Sequence, residues 1–390
     1  MLISWLGELD TFVEKLIQVF RVAPPGSVAV LIVGSLLIGF LAGLLLSRLK
    51  RWRDPSPHPP PGPSSSPLEE HIARLKAALK SSDELWRFHD DAPPRHLLNK
   101  IHAGQMKVVV LLNLKGGVSK TTLAANIGVY YATLGMKVLL IDMDYQGSLT
   151  AMMLVAAGLT NGPSVVDSVI ETGDERLVKE AANLEAKLGP IRLLSAGKSL
   201  HSVENRVQIG WLIEPKPARD IRFNLLRFLT SDEVSRANFD VVLIDSPPRL
   251  TTGTINALAG ATDFAIPTIL DGAATANVGT LLDDTRALFV RHLNPHLRLA
   301  GIIPTRTEVG TELKDFEVEN KKLLIREARE KWGEGSYMFE AFTPDRIDVA
   351  RMAGSAIPVL SGNEEVAGPY KRVAKELADR IWGKGQWPKK

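Results

Sequence analysis

The hydrophobic positions of this 390-residue chain obey different rules in different regions. In residues 1–25, Leu2, Leu6, Leu9, Val13, Leu16 and Phe20 recur at helical spacing while Glu8, Asp10 and Glu14 take the other face, the pattern of an amphipathic helix lying on a membrane surface with Trp5 at headgroup level. From Gly26 to Ser47 there is no charged residue at all. That run, about 22 residues at ~1.5 Å each, spans ~33 Å and predicts a transmembrane helix over 26–47. After Met106 short apolar runs alternate with longer stretches of helical period. Strands are expected over 108–112, 138–142, 191–195, 241–245, 264–268, 299–304 and 337–342, separated by helices. This alternation predicts an α/β fold, a mostly parallel sheet with helices on both faces.

The region between these two parts joins them. Residues 48–67 begin with Arg48, Lys50, Arg51 and Arg53 and continue as a Pro- and Ser-rich stretch, an extended spacer of ~40 Å. Basic residues directly after the span place its C-terminal side in the cytoplasm, where nucleotide is found. The expectation is a single-pass membrane protein with residues 106–390 in the cytoplasm. Residues 68–105 form a helical connector, with Ile72, Leu75 and Leu79 on one face and a second short helix from Ser82. The expected domain occupies 106–390, and the stretch 155–229 is longer than one crossover needs, a place for a partner-specific surface. Within the span Ser35, Gly39, Gly43 and Ser47 recur every fourth residue, so two such helices can approach closely.

Composition narrows the chemistry. The chain has no cysteine, which excludes disulfides, thiolate metal sites and cysteine nucleophiles. Its eight histidines show no metal-ligand spacing. The formal charge of +3 is mild. Arg306, Lys314, Lys321, Lys322 and Arg326, and later Lys371, Arg372, Lys375 and Arg380, are candidates for sequence-independent DNA phosphate contacts. The C-terminal Trp382 and Trp387, set among lysines, could touch anionic lipid, but a short Gly-broken tail reads more simply as a frayed terminus.

One segment carries most of the functional signal. Asn113-Leu114-Lys115-Gly116-Gly117-Val118-Ser119-Lys120-Thr121-Thr122 lies between a buried strand and a helix. Backbone N–H groups of such a turn, together with the positive end of a helix dipole, make an anion site. Gly116 through Thr122 would cradle phosphates, Lys120 would reach the β/γ-phosphates of ATP and Thr121 would hold Mg²⁺. Ser119 stands where the strict phosphate-loop pattern has glycine, and a small residue fits there if its φ is negative.

The stretch resembles the deviant phosphate loop of the ParA/MinD family of P-loop ATPases. That resemblance implies a P-loop fold of the deviant Walker A type. It also implies that Lys115 acts in trans, on ATP sandwiched between two subunits. Asp142-Met143-Asp144-Tyr145-Gln146-Gly147 resembles a second family segment, with Tyr145 in place of the usual proline. By position Asp144 matches the residue that orients the attacking water, and Asp142 sits nearer the metal. Phe239 through Pro248 resembles the Walker B segment, in which Asp245 holds Mg²⁺ through water. Phe342 through Arg346 resembles the region bordering adenine, which nominates Pro344 for the base pocket.

The resemblance implies a membrane-anchored ATPase that forms a homodimer on binding Mg²⁺-ATP and hydrolyses it slowly, stimulated by an unidentified protein partner. Its cargo would be DNA or a protein complex. A soluble relative redistributes by leaving its surface, whereas an anchored one stays, so a switch recruiting cargo to the bilayer is the better fit. Two other readings are a non-hydrolysing nucleotide-bound scaffold and a tyrosine kinase of polysaccharide export. The second normally ends in a tyrosine cluster, whereas the last tyrosine here is Tyr370.

Overall fold

Buried parallel strands appear in a sequence as unbroken apolar runs, because both faces of the sheet are covered. The computed structural model follows that rule and describes residues 67–388, apart from 81, 90, 161, 163, 309–311 and 346–356. Eight strands form one sheet in the order β3-β4-β2-β5-β1-β6-β7-β8. They are β1 (Lys107–Leu111), β2 (Val138–Asp142), β3 (Ala182–Asn183), β4 (Ile191–Leu194), β5 (Val241–Asp245), β6 (Asp263–Thr268), β7 (Arg298–Thr307) and β8 (Thr343–Pro344). All neighbours are parallel except β3, which runs antiparallel to β4.

Within each central strand successive side chains go to opposite layers. Val108 and Val110 join one hydrophobic cluster with Ile141 and Ile244, while Val109 and Leu111 join the other with Leu140 and Leu243. Helices Lys120–Thr133 and Glu364–Trp382 cover the second layer. Helix Lys120–Thr133 lies so close to β2 that a Cβ on Gly128 would come 2.8 Å from Leu140 Cδ2. Helices Val166–Thr172, Ser199–Ile213, Asn224–Leu229 and Thr252–Ala259 cover the first layer.

Three expectations need correction. Residues 337–342 do not form a strand: Met338 makes only an isolated parallel bridge with Ile302. The backbone N–H groups of Glu340 and Ala341 instead donate to the Glu376 carboxylate of helix Glu364–Trp382 at 2.8 Å each, which removes them from any ladder. The C-terminal tail is not frayed. Trp382 packs edge-on against Tyr131 at 5.9 Å between centroids, and Gly385 N–H donates to Asp379; Trp387 also rests on the second layer. The stretch expected as a connector between two parts is built into the domain, since Trp86, Phe88, Leu98 and Ile101 are buried in the first layer. The described residues from Pro67 onward accordingly form one compact unit.

The amphipathic segment 1–25, the span 26–47 and the linker up to Ser66 lie outside the described residues. Among the described residues no helix is long and apolar enough to cross a membrane.

Candidate functional site

The Gly-rich turn leaves the carboxyl end of β1, between β5 and β6, in the middle of the sheet. Four tertiary bonds and one local one fix it. Asn113 donates from Nδ2 to the Pro267 carbonyl (2.7 Å) and accepts the Lys115 N–H (2.8 Å). Ser246 donates to the Leu111 carbonyl, Thr305 to that of Val118 and Arg306 to that of Gly117. Gly117 has φ +73° and needs glycine's freedom. Ser119 has φ +64°, against the expectation of a negative value, and its side chain makes no capping bond. A non-glycine residue is thus held in the left-handed region at the start of helix Lys120–Thr133, a strained arrangement of the sort that collects at ligand sites.

Lys120 is 7% exposed and its ammonium donates to the carbonyls of Asn113 (2.8 Å) and Lys115 (3.1 Å). Burial lowers its pKa, opposed by attraction to Asp245 and Asp144. Lys115 points elsewhere. Its ammonium pairs with Asp271 at 2.9 Å, both side chains about half-exposed, after β6 of the same subunit.

Two carboxylates end adjacent strands in register, Asp142 on β2 opposite Asp245 on β5. Both are buried, and burial raises both pKa values; for Asp245 the neighbouring Asp142 adds to the rise. Their partners differ. Thr121 donates its hydroxyl to Asp245 Oδ2 at 2.6 Å, while Asp245 Oδ1 is buried without a partner. A buried carboxylate oxygen left unbonded costs free energy unless something binds it. With the Thr121 hydroxyl it makes an oxygen-only donor set that suits Mg²⁺. Asp142, by contrast, accepts the Asp144 N–H on Oδ1 and both the N–H and hydroxyl of Thr150 on Oδ2. Asp142 is thus a tether for the loop it precedes and for helix Ser148–Ala156.

A cleft of about 540 Å³ opens above these elements. Gly116, Gly117, Val118, Ser119, Lys120, Thr121 and Thr122 line one side, Asp144 and Ser148 another, and Arg306, Pro344 and Asp345 a third. Pro344 and Asp144 are therefore brought to the loop, while Asp142 and Asp245 sit beneath it. Sequence reasoning missed Arg306 as a cleft residue and assigned it to a DNA surface. It has φ +51° and pairs with Asp345 at 3.0 Å across the rim. Asp271, Thr150 and Thr305 were missed as well, because each acts from a distant segment without a motif of its own. The candidate basic face is partly used internally: Lys321 pairs with Glu340, Lys371 with Glu364, and Arg380 bonds the Ala300 carbonyl.

A strand, a left-handed turn and a helix N-terminus at mid-sheet, with a lysine and carboxylates at the strand ends, define a P-loop nucleotide-binding protein of the doubly wound class. Comparison with known proteins takes the assignment further. Residues 106–299 match a family described as AAA domain. The chain is 31% identical over 283 residues to the chromosome-partitioning ATPase Soj of Thermus thermophilus, covering 71% of this chain and 97% of that one. Among solved structures it is similar to apo McdA of Cyanothece (TM-score 0.54, 22% identity, 70% of this chain and 99% of that one). It is also similar to cobyrinic acid a,c-diamide synthase of Mycobacterium smegmatis, solved with an ATP analogue and magnesium (TM-score 0.50, 24% identity, 73% and 98%). The chain belongs to the ParA/Soj family of P-loop ATPases.

Proposed function

We propose that this protein is a membrane-anchored ATPase that closes into a homodimer around Mg²⁺-ATP and opens when it hydrolyses the nucleotide. The observation that carries the reading is the single cleft that joins the phosphate loop and Lys120 to Asp144, above the Thr121–Asp245 pair. Phosphoryl transfer to water needs positioning and charge stabilisation more than covalent chemistry. The loop N–H groups and the Lys120 ammonium bind the β- and γ-phosphate oxygens. Asp144, held by the Asp142 tether, orients the attacking water. Thr121 and Asp245 hold Mg²⁺, which when bound neutralises charge on the phosphates. Lys115 leaves Asp271 and reaches the nucleotide of the second subunit.

Pro344 borders the base. An unidentified protein stimulates a slow basal turnover, and the cargo, DNA or a protein complex, is recruited to the inner membrane. The charge-free run Gly26–Ser47 followed by arginines supports the anchor, with the ATPase domain in the cytoplasm. The relative from Thermus is named for chromosome partitioning, which supports a role in positioning or segregation. The strained Ser119 favours one second reading, a scaffold that binds ATP without hydrolysing it.

ATP binding, phosphate release and dimer formation by the full chain in detergent test this. Lys120→Ala abolishes binding. Asp144→Ala retains ATP and accumulates dimer without releasing phosphate. Normal hydrolysis by Asp144→Ala would refute the assigned role, and ATP binding without phosphate release under any condition would establish the scaffold.

A further inference from the structure

Helix Ser199–Ile213 touches both catalytic loops at one end and the connector at the other. Near its start the His201 ring lies 5.4 Å from that of Tyr145, the residue after Asp144. The Arg249 guanidinium, just after the Walker B segment, lies 4.6 Å from the same Tyr145 ring. One turn on, Glu204 is 4% exposed and accepts the Gly253 N–H at 2.7 Å, while its backbone carbonyl accepts the Thr252 hydroxyl at 3.2 Å. The helix therefore holds the loop after β2 and the turn after β5 together.

The far end of the helix, about 15 Å away at ~1.5 Å per residue, is the floor of a second assembly. His71 Nε2 donates to the Leu212 carbonyl at 2.9 Å, and His89 Nε2 to the Trp211 carbonyl at 2.7 Å. Trp86 stacks on Trp211 with 6.1 Å between centroids. Arg222, 2% exposed, bonds the Trp86 carbonyl at 2.8 Å and lies 5.3 Å from the Trp211 ring. All but the last of these contacts join residues 71–89 to helix Ser199–Ile213 or to Arg222, and the last joins Arg222 to that helix. A spacer has no need of two histidines bonded to the open carbonyls of one helix end.

We propose that residues 67–89 are a regulatory strap: their dock on Trp211 and Leu212 sets the position of helix Ser199–Ile213, and through His201 and Glu204 that of the two catalytic loops. His89, His201 and Glu204 are positioning residues in this scheme. A rigid element packed at both ends transmits a shift, because close-packed interfaces do not deform freely. Coupling of this kind is reciprocal: if the dock biases the loops, nucleotide at the loops must bias the dock equally. The strap follows the linker directly, so events at the linker would reach the nucleotide through it. This inference rests on the ATPase reading above.

Hydrogen exchange of the full chain in detergent, with and without Mg²⁺ and a non-cleavable ATP analogue, tests it. The analogue is expected to protect residues 115–122 and also to change exchange over 84–89 by ~2-fold or more. Protection of 115–122 with unchanged exchange over 84–89 overturns the strap and leaves the ATPase reading intact. No protection of 115–122 overturns both. His89→Phe keeps a ring but cannot bond the Trp211 carbonyl, and loss of one such bond is worth ~5-fold. It is expected to change kcat by about that factor with KM unchanged, and its effect should not multiply with that of His201→Ala. An equal shift in KM alone, or strictly multiplicative effects, would show the dock to be merely structural.

Discussion

Ser119 at φ +64° makes a quantitative statement that one substitution can check. The left-handed region costs a non-glycine residue about 1–2 kcal/mol. Replacing Ser119 with glycine removes that cost, and the extra freedom of glycine in the unfolded chain takes back about 0.4–1 kcal/mol. The hydroxyl makes no capping bond, so nothing is lost there. The net gain is ~0.8 kcal/mol. It has two places to appear. If the loop keeps this conformation without nucleotide, the gain is in stability: a unit of ~325 residues unfolds with an entropy of ~0.7 kcal/mol/K, so Tm rises by ~1 °C. If the empty loop relaxes away and adopts this form only around ATP, the gain is in affinity, ~4-fold. Calorimetry of the nucleotide-free protein and titration with a non-cleavable ATP analogue measure the two parts. Ser119→Ala, which keeps the backbone cost, serves as the control and should gain neither. A glycine variant with unchanged Tm and unchanged affinity would refute the claim that this position is strained.

Two further outcomes are expected. The Lys115–Asp271 pair is half-exposed, so it contributes about 0.2–1 kcal/mol. If each subunit must break it to close the dimer, Asp271→Asn should tighten the ATP-dependent dimer by ~2–30-fold in analytical ultracentrifugation, and weaker dimerisation would contradict a lysine held in reserve. The second concerns Asp245, whose pKa is pushed up to about 8 by burial and by Asp142. A raised folded-state value means that the stability from holding the proton is complete below the ordinary carboxylate range and is lost as pH rises through about 8. Nucleotide-free protein should therefore lose Tm between about pH 4 and about pH 8, and Asp245→Asn should flatten that slope; an identical slope in the variant would be evidence against a buried proton there.

The strands that build the site were legible because they are the most buried. β2 and β5 run 138–142 and 241–245, as their unbroken apolar runs and terminal aspartates predict. The segment 337–342 has the same apolar look, yet the N–H groups of Glu340 and Ala341 satisfy a helix carboxylate, and no local pattern distinguishes the two fates. Residue type did not disclose that Ser119 would take a glycine's φ, since the conformation is imposed by the elements on either side. Nor could position along the strand disclose that Thr150, eight residues on, occupies Asp142 Oδ2 with both its donors. Arg306 and Asp271 reach the loop from 189 and 156 residues away. A distance of that kind is set by sheet order alone, and sheet order is where reading along a chain has least purchase.

The burial of Trp86, Phe88, Leu98 and Ile101 bears on how this protein can be cut. The family match starts at residue 106, and a truncation designed on homology would start there too. Such a fragment would lose four large side chains from beneath its sheet, each contributing about 1.5–3 kcal/mol. The sum, ~6–12 kcal/mol, rivals the whole net stability of an ordinary domain. The stretch that matches the family is thus shorter than the stretch that this chain buries together, and a fragment that keeps those four side chains must begin before Trp86.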